Sequence, residues 1–320
     1  MLPSLLLGGA ALLGSLSPLP LLAQQYPDKT VRLVVNFPPG GPLDIAARLL
    51  ASDLGKRFKQ TFVVMNAPGA AGNVGAGQVA RADPDGYTVL LSLDTTFTMT
   101  PVLYPATSVK FEALRPVASY GTSGSIVAVH PSLGVNSLQE LITKGRKESI
   151  NFSTAGLGSP GHFSVLVMAD ATGVQVNPIH YQGNAPAVLA LVSGQVQAGI
   201  LSTAGLMPHI KAGKVNALAL AGVNHSSQLP ELKTAAELGQ PNLNVEFLFV
   251  ASVPAGTPDA VVASLQQGIA DAVKQPEYQE RMRAMEVAPV SLGSEALHAR
   301  LLKDRTRYAE IVKKSGLKVE

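Results

Sequence analysis

The sequence predicts an α/β protein of two lobes, the second inserted into the first. Three observations carry this expectation. From Val31 onward, β-rich apolar runs alternate with helical patterns. The alternation starts afresh after Gly121. The chain has 320 residues, of which 46% are hydrophobic, enough for two cores and too many for one.

The elements follow in order. Val31 to Phe37 reads as a buried strand ending at Pro38-Pro39-Gly40-Gly41. Pro42 to Phe58 is a helix, with Ile45/Leu49 and Ala46/Leu50/Leu54/Phe58 on adjoining stripes. Thr61 to Met65 is a second strand, and the small-residue loop Gly69 to Gly77 runs into a short helix. Asp83-Pro84-Asp85-Gly86 is a turn before a third strand, Tyr87 to Leu93. This order implies a mostly parallel sheet with helices on its faces. The second unit repeats the scheme. Strands are expected at Ile126–Val129, Ile150–Thr154, Asn177–Tyr181, Val196–Leu201 and Val215–Ala221. Helices are expected at Ser137–Lys147, with Ser137 as N-cap and Glu140 three residues on, and at His162–Thr172, Ala185–Ser193 and Met207–Ala212. Val245–Val253 returns as an apolar run, and helices at Pro258–Val273 and Ser294–Ser315 close the chain. Crossings between lobes are expected near Gly121–Ser125 and Gly222–Gln228. Residues 24–122 and 226–320 then form the first lobe and 123–225 the second, with a cleft between them.

Leu5 to Leu22 is apolar, interrupted by glycine and proline, and followed by Ala23. It reads as a secretory signal over residues 1–23, with Gln24 as the mature start and a periplasmic destination, although no Lys or Arg precedes it. Without cysteine there is no disulfide, thiolate metal site or lipidated N-terminus. The formal net charge is +3 and charged residues are 15%, with no dense basic run, so a nucleic-acid partner is not expected. No cofactor or metal is expected either. The six histidines show no i, i+4 pair, no lysine of a phosphate-binding loop follows a glycine loop, and there is no Gly-x-Ser-x-Gly elbow.

Two strand–glycine-loop–helix units are the candidate site. In the first, Phe37, Gly40 and Gly41 precede a helix with Pro42 at its first position. Free N–H groups there attract a carboxylate, while Asp44 in the same turn reads as structural. In the second, Thr154, Ala155, Gly156, Ser159 and His162 lie in Thr154-Ala155-Gly156-Leu157-Gly158-Ser159-Pro160-Gly161-His162. Gly156-x-Gly158-x-x-Gly161 matches a dinucleotide fingerprint, but no acid stands about 20 residues on to hold a ribose. Asp94 and Thr95, Tyr181 and Gln182, and Ser202 follow other strands, at the edge where open α/β sheets bind ligands.

At these residues the chain resembles the substrate-binding receptors of tripartite tricarboxylate transporters, the Bug family. The shared blocks are Val34-Val35-Asn36-Phe37-Pro38-Pro39-Gly40-Gly41 with Asp44 and Ala47-Arg48, Asn66 to Asn73, and Pro84-Asp85-Gly86-Tyr87-Thr88. Ser153-Thr154-Ala155-Gly156 with His162, Tyr181-Gln182-Gly183, Gly194-Gln195-Val196 and Pro254 to Pro258 complete them. The resemblance implies a type II periplasmic-binding-protein fold, capture of an organic carboxylate between the lobes, and a monomer working with two membrane components of the transporter. It also implies that the protein itself is not an enzyme. Four positions depart from the family pattern: Gln197 in place of Asp, His180 of Pro, Leu248 of Trp, and Asp94 in a loop of small neutral residues. If Asp94 faces the ligand it disfavours a second carboxylate; otherwise it caps the following turn. Phe37, Phe97 and Phe247 offer a ring wall or, more simply, core. The competing readings are a nucleotide-dependent enzyme on a Rossmann-like lobe and a receptor that reports its solute to a signalling partner.

Overall fold

The computed structural model describes residues 26–106 and 109–315; the expected signal segment and Gln24 lie outside them. The first unit runs β1 (Val31–Val35), α1 (Pro42–Phe58), β2 (Phe62–Asn66), α2 (Asn73–Ala80) and β3 (Thr88–Leu93). Short helices α3 (Thr95–Thr98) and α4 (Thr100–Leu103) lead into β4 (Leu114–Ser123). Next come β5 (Ser125–Val129), α5 (Leu138–Gly145), β6 (Ile150–Thr154), α6 (Pro160–Thr172), β7 (Val176–His180), α7 (Asn184–Val192), β8 (Ala198–Ser202), α8 (Thr203–Lys211) and β9 (Asn216–Leu220). The chain ends with β10 (Phe247–Pro254), α9 (Asp259–Val273), α10 (Pro276–Ala284), β11 (Val287–Ala288) and α11 (Ser294–Ser315).

Two sheets result, ordered β11-β4-β10-β3-β1-β2 and β7-β6-β8-β5-β9, each flanked by helices. The two-lobed α/β architecture is as expected, but the sheets are mixed rather than mostly parallel. Only β2-β1-β3 and β7-β6-β8 are parallel; β10 runs against β3 and β4, and β5 runs against β8 and β9. The cause is the crossing itself. A strand that enters a lobe from the gap must run opposite to strands that end there.

The first crossing is one residue long: β4 ends at Ser123 and β5 starts at Ser125. The return lies later than the expected 222–228. After β9, Thr234 bridges to Leu220, the Ala235 N–H donates to the Leu220 carbonyl at 2.8 Å, and that of Val245 to Ala221 at 3.1 Å. Leu243 and Val245 are buried in the core of the second sheet.

Local chemistry accounts for the element ends. α1 begins on Pro42, whose missing N–H costs nothing in a first turn, and ends with Lys59 in the left-handed region. Ser137 caps α5, and the Glu140 carboxylate answers by accepting from the Asn136 N–H at 2.8 Å. Five elements were not expected: β4, the short helices α3 and α4, α10 and β11. β4 carries Pro116 and Gly121 and is nearly all buried, so it shows no alternation for a sequence reading to find.

α11 ties the lobes together. Leu297 and Leu301 pack with Val34, Phe97 and Val250 of the first lobe. About two turns on, Tyr308 and Ile311 join the second-lobe cluster, where the Tyr308 ring lies 4.1 Å from that of Phe163. Such an aromatic pair is worth roughly 0.5–1.5 kcal/mol beyond the area it buries.

Asp94 lies beneath this helix, not in the cleft. It is fully buried, neither carboxylate oxygen accepts a hydrogen bond, and it does not cap α3. Both sequence expectations for its side chain, ligand contact and turn cap, are therefore replaced. Burial first, and the Asp304 carboxylate second, push its pKa up to about 8, against the opposing Arg300 charge. Arg300 is engaged instead by Asp304, Nε to Oδ2 2.6 Å. A carboxyl whose folded pKa is raised keeps its proton where the unfolded chain has lost it. Its contribution to stability is thus full below about pH 4 and is lost as pH rises toward 8. Asp94→Asn is expected to raise the unfolding midpoint at pH 8 by at least about 2 °C, as ~1 kcal/mol does in a chain of this size. That gain should shrink as the pH is lowered toward 4; a gain independent of pH removes the assignment.

Candidate functional site

The C-terminal ends of β1–β3 and of β6–β8 face each other across the gap, and their loops form its walls. In the first lobe, Asn36 organises the wall. Its side chain is 1% exposed and donates through Nδ2 to the Gly72 carbonyl (3.1 Å) and to Thr96 Oγ1 (3.0 Å), joining all three loops. A Cβ on Gly72 would strike the Asn36 amide, and Gly72 also has a φ of +91°, so no other residue fits there.

The glycine loop after β1 is held by Asp44. Its carboxylate accepts from the Gly40 N–H at 3.0 Å, from Arg48 Nε at 3.0 Å and from Asn66 Nδ2 at 2.9 Å. Asn66 also donates to the Phe37 carbonyl at 3.2 Å. Burial alone would raise the Asp44 pKa, but the hydrogen bonds from Arg48, Gly40 and Asn66 and the guanidinium charge outweigh it and hold the carboxyl below its ordinary value. Asp44 is structural, as its position in the first turn suggested. It also neutralises the start of α1 and occupies the Gly40 N–H, so that donor is not offered to a ligand as the sequence implied. Gly41 is the N-cap and remains partly open. The Phe37 ring packs on the first-lobe core, and Phe97 and Phe247 are core residues. Thr95 is 3% exposed and turned inward with Asp94.

The second lobe is arranged differently. α8 starts directly after β8, α6 and α7 follow β6 and β7 after short loops, and none of the three has an acid in its first turn. Ser159 caps α6 by accepting from the His162 N–H at 3.2 Å, and Ser202 caps α8 by accepting from the Gly205 N–H at 3.4 Å. The Gly158 N–H donates to His162 Nδ1 at 3.1 Å, which fixes the loop between them. His162 is 1% exposed, and burial, then the neighbouring His180, lower its pKa to about 4. His180 is also lowered by burial; its ring meets that of His162 edge-on at 4.6 Å, and its Nδ1 lies 2.7 Å from Thr154 Oγ1. The pair is therefore neutral at pH 7 and acts as a brace behind the loop. Thr154, fully buried, belongs to the same brace.

In the loops after β6, β7 and β8, Ala155, Gly156, Leu157, Ser159, Gln182, Gly183 and Ser202 are exposed or partly so. Tyr181 is only partly buried, but its hydroxyl is engaged by Gln195 Oε1 at 3.2 Å. Gly156 has a φ of +124°, and a Cβ there would sit 3.4 Å from the Tyr181 carbonyl. Gly158 lies against the first lobe: a Cβ on it would lie 3.0 Å from Leu103 Cδ1. Sequence reasoning missed Asn184, whose amide lies against Gly205 and spans the starts of α7 and α8. The signal was adjacent, in Tyr181-Gln182-Gly183. Pro160 is the first helical residue of α6. Among the described residues no cluster of three metal-ligating side chains occurs, and no helix is long and apolar enough to cross a membrane.

Comparison with known proteins agrees with this geometry. The sequence profile of the tripartite tricarboxylate transporter family receptor (TctC) matches residues 46–317. Protein BugT of Bordetella pertussis is 32% identical over 305 residues, covering 94% of each chain. The solved structure of R. palustris Rpa4515 with adipate superposes with a TM-score of 0.81 at 28% identity, covering 92% of this chain and 99% of that one. MatC (Rpa3494) of Rhodopseudomonas palustris with bound malate gives 0.76 at 26% identity, covering 90% and 100%. With the family profile spanning most of its length, the chain belongs to the receptors of the tripartite tricarboxylate transporter family, as does its relative BugT.

Proposed function

We propose that this chain is an extracytoplasmic solute receptor. It captures a small organic carboxylate between its lobes and presents it to the membrane components of a tripartite tricarboxylate-type transporter. The observation that carries the reading is the convergence of three acid-free helix starts, α6, α7 and α8, on the gap. Each helix start leaves N–H groups without an internal partner and carries a partial positive charge. Facing them, the first lobe neutralises its own helix start with Asp44. A carboxylate is thus held mainly by the second lobe, through Gly156 and the helix-start N–H groups with Ser159, Gln182, Asn184 and Ser202, while the first-lobe loops close over it. The relatives solved with adipate and malate support an aliphatic acid as ligand.

The division into lobes is proposed to fall at Gly124 and near Glu246. The protein acts as a periplasmic monomer without catalysis; the solute crosses the membrane through its partners.

Thermal unfolding against a panel of organic acids, amino acids and nucleotides tests the reading. A bound acid at one hundred times its Kd adds about 2.7 kcal/mol. A response to nucleotides alone overturns the receptor. In calorimetry, Gly156→Val is expected to abolish acid binding in a chain that still folds, its ligand-free unfolding midpoint lowered by roughly 2–6 °C through the strain at a φ of +124°; unchanged affinity excludes the loop from the site. Acid should also release the ligand. Protonating His162 turns the acceptor of the Gly158 N–H into a donor, so affinity is expected to fall as pH drops through about 4. His162→Gln is expected to lose that pH step, and a step persisting in it assigns the effect elsewhere.

A further inference from the structure

A second cavity, of about 480 Å³, lies behind the hinge, where β11 flanks β4 and β9 forms the edge of the second sheet. It shares Thr203, at the start of α8, with the proposed carboxylate cleft, and none of the loops after β1–β3, β6 or β7 lines it. Both lobes wall this rear cavity, and two hydrogen bonds join them there. Ser227 Oγ donates to Glu286 Oε1 at 3.1 Å, and Gln228 Nε2 donates to the Ala284 carbonyl at 3.4 Å.

The rear lining is charged, unlike the front. Arg283 extends from the last turn of α10; its only recorded partner is the neutral Gln279 Oε1 at 3.0 Å, and no ion pair among the described residues uses it. Glu246, 8% exposed, stands at the crossing with Oε1 taken by the Val223 N–H and Asn224 Nδ2, each at 3.0 Å. Glu286 forms a further part of the wall. A guanidinium free to take a carboxylate and two acids suited to an ammonium thus share one polar cavity. Its volume admits a solute of amino-acid size.

We infer that the cavity behind the hinge is a second binding site, for a small zwitterion of the amino-acid type: Arg283 takes the carboxylate, and Glu286 with Glu246 takes the ammonium. A bidentate guanidinium–carboxylate contact supplies the orientation. Because its walls belong to both lobes, occupancy is linked to lobe closure, and the link is reciprocal. Turning the lobes together at the front parts the walls at the rear, so a solute bridging Arg283 and Glu246 opposes front closure. None of Arg283, Glu286 and Glu246 is used by the carboxylate cleft, so failure of this site is distinguishable from failure of that reading.

The test is calorimetric titration of glycine, L-serine and L-glutamine into the full chain as wild type, Arg283→Ala and Gly156→Val. At least one amino acid is expected to bind wild type saturably. Arg283 is exposed, so its replacement leaves the fold intact, and Arg283→Ala should weaken that binding by about tenfold or more, the scale of one lost charge-assisted hydrogen bond. Gly156→Val should leave it unchanged. Absence of saturable binding, equal binding by Arg283→Ala, or loss in Gly156→Val, which would place the amino acid in the front cleft, each overturns the proposal.

Discussion

Every loop of the cleft owes its place to the passage of the chain through Gly124. β4 ends and β5 begins on either side of that residue, and Thr203 Oγ1 holds its carbonyl at 3.3 Å. β10 lies between β3 and β4 and runs against both, which sets Leu93, the last residue of β3, opposite Phe249 near the start of β10. In the second sheet, β5 against β8 sets Ser125 opposite Ser202. The C-terminal ends of the parallel strands are thereby brought level with the crossing on both sides. The helix starts that follow them have no other direction in which to point but the gap.

The two walls so formed are electrically unlike, and the difference lies in single residues. α1 carries Asp44 in its first turn and satisfies its own dipole. α6, α7 and α8 do not, and their caps are the neutral Ser159, Gly183 and Ser202. The two histidines nearest the second wall are held neutral by burial, so they add shape without charge. An anion entering the gap therefore meets one attractive side and one indifferent side. That asymmetry suits a two-step capture, in which the solute docks on the second lobe before the first closes.

Much of this was legible in the sequence, and the residues that were not share a physical reason. α1, β6 and α11 are found where period and caps placed them, because each has a clear apolar face or a bounded run. β4 escaped because a strand buried on both faces shows no alternation, and the return crossing escaped because residues 229–245 pack on the second sheet without regular structure. Among the candidate site residues, Gly156 takes a positive φ and Ser159 caps α6, since glycine and a capping serine announce a loop geometry directly. Asp94 and Thr154 are buried instead: a polar residue at a strand end has two faces open to it, and sequence does not say which is taken. His180 was visible as a departure from the family pattern, but its edge-on contact with His162 exists only in three dimensions.

A gap walled by neutral donors also bears on what a receptor must do after capture. Hydrogen bonds from N–H and O–H groups to a carboxylate are worth about 1.5–3 kcal/mol each. On the proposed reading, four of them at the α6–α8 starts give roughly 6–12 kcal/mol, a range centred near the micromolar scale of about 8 kcal/mol. A buried guanidinium in the same place would add strength only by being desolvated itself, and would leave an unpaired charge once the solute departed. Neutral donors avoid that cost, because the helix-start N–H groups return to water when the lobes part. On the proposed reading, Asp44 locks a loop and Asp94 lies under α11, so neither of these buried carboxyls enters the gap. Such a wall binds firmly enough to collect a dilute acid and loosely enough to surrender it to a membrane partner.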